Sequence, residues 1–194
     1  PAGSFATLPL DEAAAPLVAL VRQFRPHVMT TYDPTGGYPH PDHIMTHRIG
    51  LEAFEAAGDP TRYVGTGKAW TVLKLYYNHG FSMARIRAGH EAMLAAGLDS
   101  PFGDWLESRS VREIPEREVT TRIRCADYFG QRDEALRAHA TQVDPDGFFF
   151  ALPRDLEREV WPFEEFELAV SRVPTTLPET DLFAGIDLAR EATE

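Results

Sequence analysis

Cysteine is almost absent, Cys125 being the only one in 194 residues. No intrachain disulfide can form, and a reducing, cytoplasmic setting is the simpler expectation. Long apolar runs are missing as well. The longest stretch without a polar or charged side chain, Ala13 to Val21, has nine residues and contains Pro16, far short of the roughly 20 that cross a bilayer, so no membrane partner is expected. Basic charge is scarce: 19 Lys and Arg face 30 Asp and Glu, a formal net charge of −11, which argues against nucleic acid as the main partner. No repeat or low-complexity block is visible. The opening Pro1-Ala2-Gly3-Ser4 does not read as a signal peptide. Without an initiator methionine there, the chain is expected to be the later part of a longer protein.

What remains is the composition of a globular protein, 43 % hydrophobic and 11 % aromatic, with a mean hydropathy of −0.29. Asp11 reads as a helix N-cap. Leu17, Leu20, Val21 and Phe24 follow at helical spacing, in a helix that ends before Pro26. His27-Val28-Met29-Thr30-Thr31-Tyr32 is short and β-branched, the pattern of a buried strand. Asp33-Pro34-Thr35-Gly36-Gly37 is a loop by its proline and two glycines. His40-Pro41-Asp42-His43 then opens a second helix, with proline in its first turn and Asp42 suited to its positive end, running to Ala57 and stopping at Gly58. Further strands are expected around Lys74–His79 and over Val119–Arg124, and further helices over Phe81–Ala96 and Ala126–Gln142. This alternation is that of an α/β layered domain, in which ligands gather where strands end and loops begin.

Three of the seven histidines fall inside eight residues, His40, His43 and His47. His43 and His47 are four apart, the spacing at which two imidazoles on one helical face can share a zinc. An imidazole can ligate a metal when neutral or donate a proton when charged. The Asp42 carboxylate favours the charged form of His40 and suits it to general acid work, and the Tyr38 hydroxyl is a donor for an oxyanion. Metal, acid and oxyanion donor are the parts of a hydrolase acting on a carbonyl, although a catalytic zinc usually takes three protein ligands and this segment offers fewer. Elsewhere, His139 is read as a packed histidine of its helix and Cys125 as a small buried residue without thiolate character. Phe148, Phe149, Phe150, Trp161, Phe163 and Phe166 are read as core aromatics, and Arg154–Glu167 as a solvated charged face.

Tyr32-Asp33-Pro34-Thr35-Gly36-Gly37-Tyr38-Pro39-His40-Pro41-Asp42-His43 resembles the second signature of the LmbE-like, PIG-L-type zinc de-N-acetylases and amidases. Lys74-Leu75-Tyr76-Tyr77, Tyr128-Phe129-Gly130-Gln131-Arg132-Asp133 through Ala138-His139-Ala140-Thr141-Gln142, Glu164-Glu165-Phe166-Glu167-Leu168-Ala169 and the ending Pro178 to Ile186 are similar to the branch that hydrolyses mycothiol S-conjugates. The resemblance implies a Rossmann-like layered α/β domain and a zinc cofactor, with iron(II) able to use the same donors. It makes His43 a metal ligand and His40 the protonated histidine that stabilises the oxyanion and donates to the leaving amine. Asp42 would orient His40, Tyr38 would hydrogen-bond the oxyanion, and His139 would lie on the substrate side. His47 is given no metal role.

The family's first signature, a His-Pro-Asp-Asp segment that supplies the other ligands and the general base, is not in this sequence. Residues 1–194 are therefore expected to be the C-terminal portion of a single LmbE-like amidase domain whose N-terminal part is absent from the chain. Alone, such a portion should bind zinc weakly and turn nothing over. The implied substrate is a small-molecule thiol conjugate, with self-association into a homo-oligomer left open. Three alternatives stand beside it: the related N-deacetylase of mycothiol biosynthesis, a secondary-metabolism amidase, and a non-catalytic remnant that keeps the fold.

Overall fold

A computed structural model describes residues 3–80, 82–110 and 117–188. Its elements run α1 (Leu10–Phe24), β1 (Val28–Thr31), α2 (Pro41–Ala56), β2 (Lys74–His79), α3 (Met83–Ala95), α4 (Phe102–Ser110), β3 (Thr121–Arg124), α5 (Phe129–Arg137), α6 (Arg154–Val160) and β4 (Phe163–Ser171). Two compact units emerge. One is drawn from residues up to His79, Val119–Arg122 and the residues from Glu165 on, the other from Gly80–Glu118 and Ile123–Glu164.

The first unit holds most of a four-stranded mixed sheet in the order β1-β2-β4-β3. β1 pairs parallel with β2, Thr31 opposite Tyr77, and α2 is the crossover between them, as a parallel pair requires. β2 pairs antiparallel with β4, with a register shift between Leu75 and Tyr76. The core lies under α1 and α2, where Val18, Val21, Ala53, Phe54, Val72 and Leu75 are fully or almost fully buried. Gly50 is what lets α2 approach β1. A Cβ there would stand 2.7 Å from Thr31 Oγ1.

The expected periodicity of α1 is turned. Ala14, Val18, Val21 and Arg22 face inward, whereas Leu20 is 50 % and Phe24 81 % exposed. Small Ala14 allows close packing, and the Arg22 guanidinium is drawn in because it closes the end of α2. It donates to the carbonyls of Ala56, Ala57, Asp59, Arg62 and Tyr63 and to Thr66 Oγ1, at 2.7–3.1 Å, satisfying carbonyls that the helix and the following loop leave open.

On the opposite side of β2, Lys74 is buried with Nζ 2.5 Å from Glu179 Oε1, and Tyr76 donates to Glu179 Oε2 at 2.7 Å. The C-terminal segment is thereby fastened to the sheet, with Glu179 bridged to Thr121.

The second unit packs Ile86, Met93, Phe102 and Leu152 with Trp105 and Phe148, so Phe148 is a core aromatic as expected, while Phe149 is 40 % exposed. The expected helix over Ala126–Gln142 is shorter. A 3-10 turn at Ala126–Tyr128 leads into α5, which ends at Arg137. Of α5 only Phe129 and Asp133 are buried, and no apolar stripe extends it to Gln142. His139 is consequently past the helix, exposed, with Nδ1 2.9 Å from Ala135 O, not packed in a core.

Arg154–Glu167 is not a solvated face either. It forms α6 and the start of β4, with Glu157 and Glu165 buried. Arg85, Arg132 and Arg154 all converge on Glu157 at 2.7–3.0 Å, and Glu164 accepts from Arg85 and Arg132. Burial alone would raise the Glu157 carboxyl, but the hydrogen bonds and charges of Arg132 and Arg85 together hold it below the usual carboxylate range. Among the described residues no helix is long and apolar enough to cross a membrane.

Candidate active site

The loop between β1 and α2 is organised by Asp33, which is buried. Its carboxylate accepts from Thr35 N at 2.6 Å, Thr35 Oγ1 at 2.5 Å and Gly37 N at 3.2 Å. That turn drives Gly36 against α2 with φ +75, and a Cβ on Gly36 would stand 2.7 Å from His43 Cβ. Only glycine meets both demands. The Gly36 carbonyl lies 2.9 Å from His43 Nδ1. A carbonyl can only accept, so Nδ1 carries the proton and the neutral ring offers the lone pair of Nε2. Tyr32 stacks on the same ring, centroids 4.3 Å apart and planes 14° from parallel, and Tyr38 meets it edge-on at 4.6 Å.

One turn deeper, the buried His47 has Nδ1 2.8 Å from Tyr32 O and its ring 5.3 Å from that of Tyr77. It braces the end of β1 beneath the loop.

His40 caps α2. Its Nδ1 accepts from Asp42 N at 3.2 Å, a capping role seldom taken by histidine. The Asp42 carboxylate is 4.0 Å from the same nitrogen, and both side chains are about half exposed, so Asp42 holds the ring through its backbone in this arrangement. The His40 and His43 rings are 5.3 Å apart and tilted by 55°, and Tyr38 is 6.0 Å from His40. Tyr38, His40, Asp42 and His43 are thus gathered at the positive end of α2, beyond the C-terminal end of β1, the place where an anionic centre is stabilised. A cavity of about 370 Å³ is lined by Leu17, Met29, Thr31, Tyr32, Thr46 and Ile49 among others, and none of Tyr38, His40, Asp42 and His43 is in its lining.

As a metal donor, His43 fits. An imidazole whose Nδ1 is fixed to a carbonyl is oriented to coordinate through Nε2. The rest of a ligand set is not here: among the described residues no three His, Cys, Asp or Glu side chains converge on one point. Cys125 is half-buried, its thiol pushed up by burial and by Glu164 against the opposing pull of Arg132 and Arg85, and is no nucleophile.

Residues 1–54, which include this loop, match the family model described as PIG-L: GlcNAc-PI de-N-acetylase. Mycothiol S-conjugate amidase of Streptomyces coelicolor is 55 % identical over 188 residues, covering 96 % of this chain and 64 % of that protein. The 1D-myo-inositol 2-acetamido-2-deoxy-alpha-D-glucopyranoside deacetylase of Streptomyces griseus is 41 % identical over 194 residues, 98 % of this chain and 59 % of the relative. That of Geodermatophilus obscurus is 41 % identical over 179 residues, 91 % and 60 %. The chain spans about three fifths of the length of these relatives. The chain is thus similar to the PIG-L, GlcNAc-PI de-N-acetylase family model across its histidine-bearing loop, and to these amidase and deacetylase relatives along nearly its whole length.

Proposed function

We propose that these residues form the acid and oxyanion side of a metal-dependent amidase site that hydrolyses the amide of mycothiol S-conjugates. The products are an N-acetylcysteine S-conjugate and glucosaminyl-inositol, which makes the reaction a thiol-based detoxification in a reducing cytoplasm. The reading is supported by one observation above others: His40 and His43 sit with rings 5.3 Å apart at one helix N-terminus, His43 with its free nitrogen set by Gly36. The similarity to the S. coelicolor amidase favours the S-conjugate over the deacetylase substrate.

Zinc, or iron(II), held in part by His43 would supply Lewis-acid polarisation of the amide carbonyl. The ligands that complete such a site are not among the described residues, so the steps assigned here are those of the chain itself. Tyr38 and His40 donate hydrogen bonds to the oxygen that gains charge as the amide carbon becomes tetrahedral. His40 then hands a proton from Nε2 to the departing nitrogen. To carry that proton as an imidazolium, Nδ1 must also be protonated and must exchange the Asp42 N–H for an acceptor. The Asp42 carboxylate, 4.0 Å away, is the group in reach. Asp42 therefore positions His40 in both states, by its amide in one and its carboxylate in the other. We assign the chain as the C-terminal portion of the amidase domain, with His139 on the substrate side in a lesser role.

Product analysis tests this. Residues 1–194 joined to a His-Pro-Asp-Asp segment of the family should release an N-acetylcysteine conjugate and free amine from a fluorescent mycothiol S-conjugate. Residues 1–194 alone should bind zinc weakly and release neither. Release of acetate from the N-acetylated glucosaminyl-inositol, with the S-conjugate untouched, would move the assignment to the deacetylase. Stoichiometric tight zinc and full turnover by residues 1–194 alone would refute the division of the site.

A further inference from the structure

His79 is the last residue of β2 and enters none of the roles above. The sides of β2 are settled by their contacts. Leu75 and Tyr77 pack with the α1–α2 core, and Lys74 and Tyr76 turn to Glu179 on the other side, so strand alternation sets His79 on the side of α2. Its height follows from α2 itself. The His47 ring meets that of Tyr77. One helical turn toward the N-terminus, about 5.4 Å, is His43; two residues along the strand, about 6.6 Å, is His79. α2 returns antiparallel to β2 as the crossover of a parallel pair, so the two steps go the same way. His79 therefore stands level with the first turn of α2, beside the candidate site.

His79 Nε2 is buried and has no hydrogen-bond partner among the described residues. An orphaned buried nitrogen costs about 1–3 kcal/mol, and each such group in a native structure calls for an explanation.

Resting on the proposed function, we infer that His79 is a substrate-binding residue whose Nε2 pairs with a hydroxyl of the substrate's polyol half, glucosaminyl-inositol. A hydroxyl both donates and accepts, so it satisfies an imidazole nitrogen in either tautomer. The polyol half carries most of the substrate's hydroxyls. His79 sets affinity for that half and takes no part in moving protons.

The test is equilibrium binding of glucosaminyl-inositol and of a fluorescent mycothiol S-conjugate to residues 1–194 joined to a His-Pro-Asp-Asp segment of the family, for the wild type, His79→Leu and His79→Gln. His79→Leu should weaken both ligands about five- to tenfold, the size of one buried hydrogen bond. His79→Gln, whose amide nitrogen falls near the position of Nε2, should stay within about threefold of wild type. The His79 Nε2 nitrogen resonance should move on adding glucosaminyl-inositol and stay unmoved by N-acetylcysteine conjugate alone. Far-UV circular dichroism identical across the three proteins excludes misfolding as the cause. Wild-type binding that His79→Leu leaves unchanged overturns the inference and spares the amidase reading. A wild type that binds neither ligand overturns both.

Discussion

The carbonyl of Gly36 fixes the tautomer of His43: at 2.9 Å it accepts the Nδ1 proton, and Nε2 is left as the only lone pair that ring can offer. The contact exists because Gly36 has a positive φ and no Cβ. Gly36→Ala should therefore cost about 1–3 kcal/mol of stability from backbone strain and swing the His43 ring. Thermal unfolding reads the first effect, and loss of the protonated Nδ1 signature in imidazole nitrogen NMR reads the second. Unaltered His43 resonances in this variant would remove Gly36 from the account.

Glu157 should carry both stability and a pH dependence. Its folded carboxyl is held below the ordinary carboxylate value of 4.5 once Arg132 and Arg85 outweigh its burial. A depressed folded pKa contributes stability that is complete above the unfolded value and lost as pH falls through the folded one. Urea unfolding should thus show stability decreasing below about pH 4.5, and Glu157→Gln should flatten that decrease. At pH 7 the substitution leaves Arg85, Arg132 and Arg154 undercompensated and should cost about 3–5 kcal/mol.

Lys74 and Glu179 make a buried pair in the first unit. Glu179→Ala leaves the buried Lys74 ammonium without its counter-charge, with the Ala184 carbonyl still accepting from it and the Leu182 carbonyl from Tyr76, and should destabilise by about 3–5 kcal/mol. The double change Lys74→Met with Glu179→Leu should recover much of that loss, because no buried charge is then left alone. Denaturation midpoints of the three variants decide it: a double variant as unstable as Glu179→Ala would assign the pair more than mutual neutralisation.

Cys125 should react sluggishly. Burial, joined by Glu164, holds its thiol above the usual value of 9.0, so iodoacetamide labelling should be slow at pH 7 and accelerate only in alkali. Fast labelling at neutral pH would contradict the site as described.

The β1–loop–α2 portion was legible because its signals are local: a proline with two glycines, β-branched residues before them, and a proline in a helical first turn. His40, His43, Asp42 and Tyr38 fall where that pattern puts them, and β2 matches its expected bounds. The misreadings have one source. The charged stretch Arg154–Glu167 reads as solvent-facing in the sequence, yet Glu157 and Glu165 are buried by Arg85, Arg122 and Arg132, 25 to 72 residues away, and Arg22 by carbonyls 34 to 41 residues away that no periodicity reveals. Glu164 and Glu165 hid β4, and Arg22 turned α1. His47, given no metal role, pairs with the carbonyl of Tyr32, a partner that no residue type announces. α4 and α6 gave too little apolar periodicity to read.

The most direct test sets His43→Ala against His40→Ala in residues 1–194 joined to a His-Pro-Asp-Asp segment, measuring bound zinc and turnover of a mycothiol S-conjugate in each. His43→Ala should lose the metal and the activity together. His40→Ala should keep the metal while turnover falls about 10²–10⁴-fold. Wild-type turnover in His40→Ala, or undiminished zinc in His43→Ala, would contradict the division of labour between the two imidazoles.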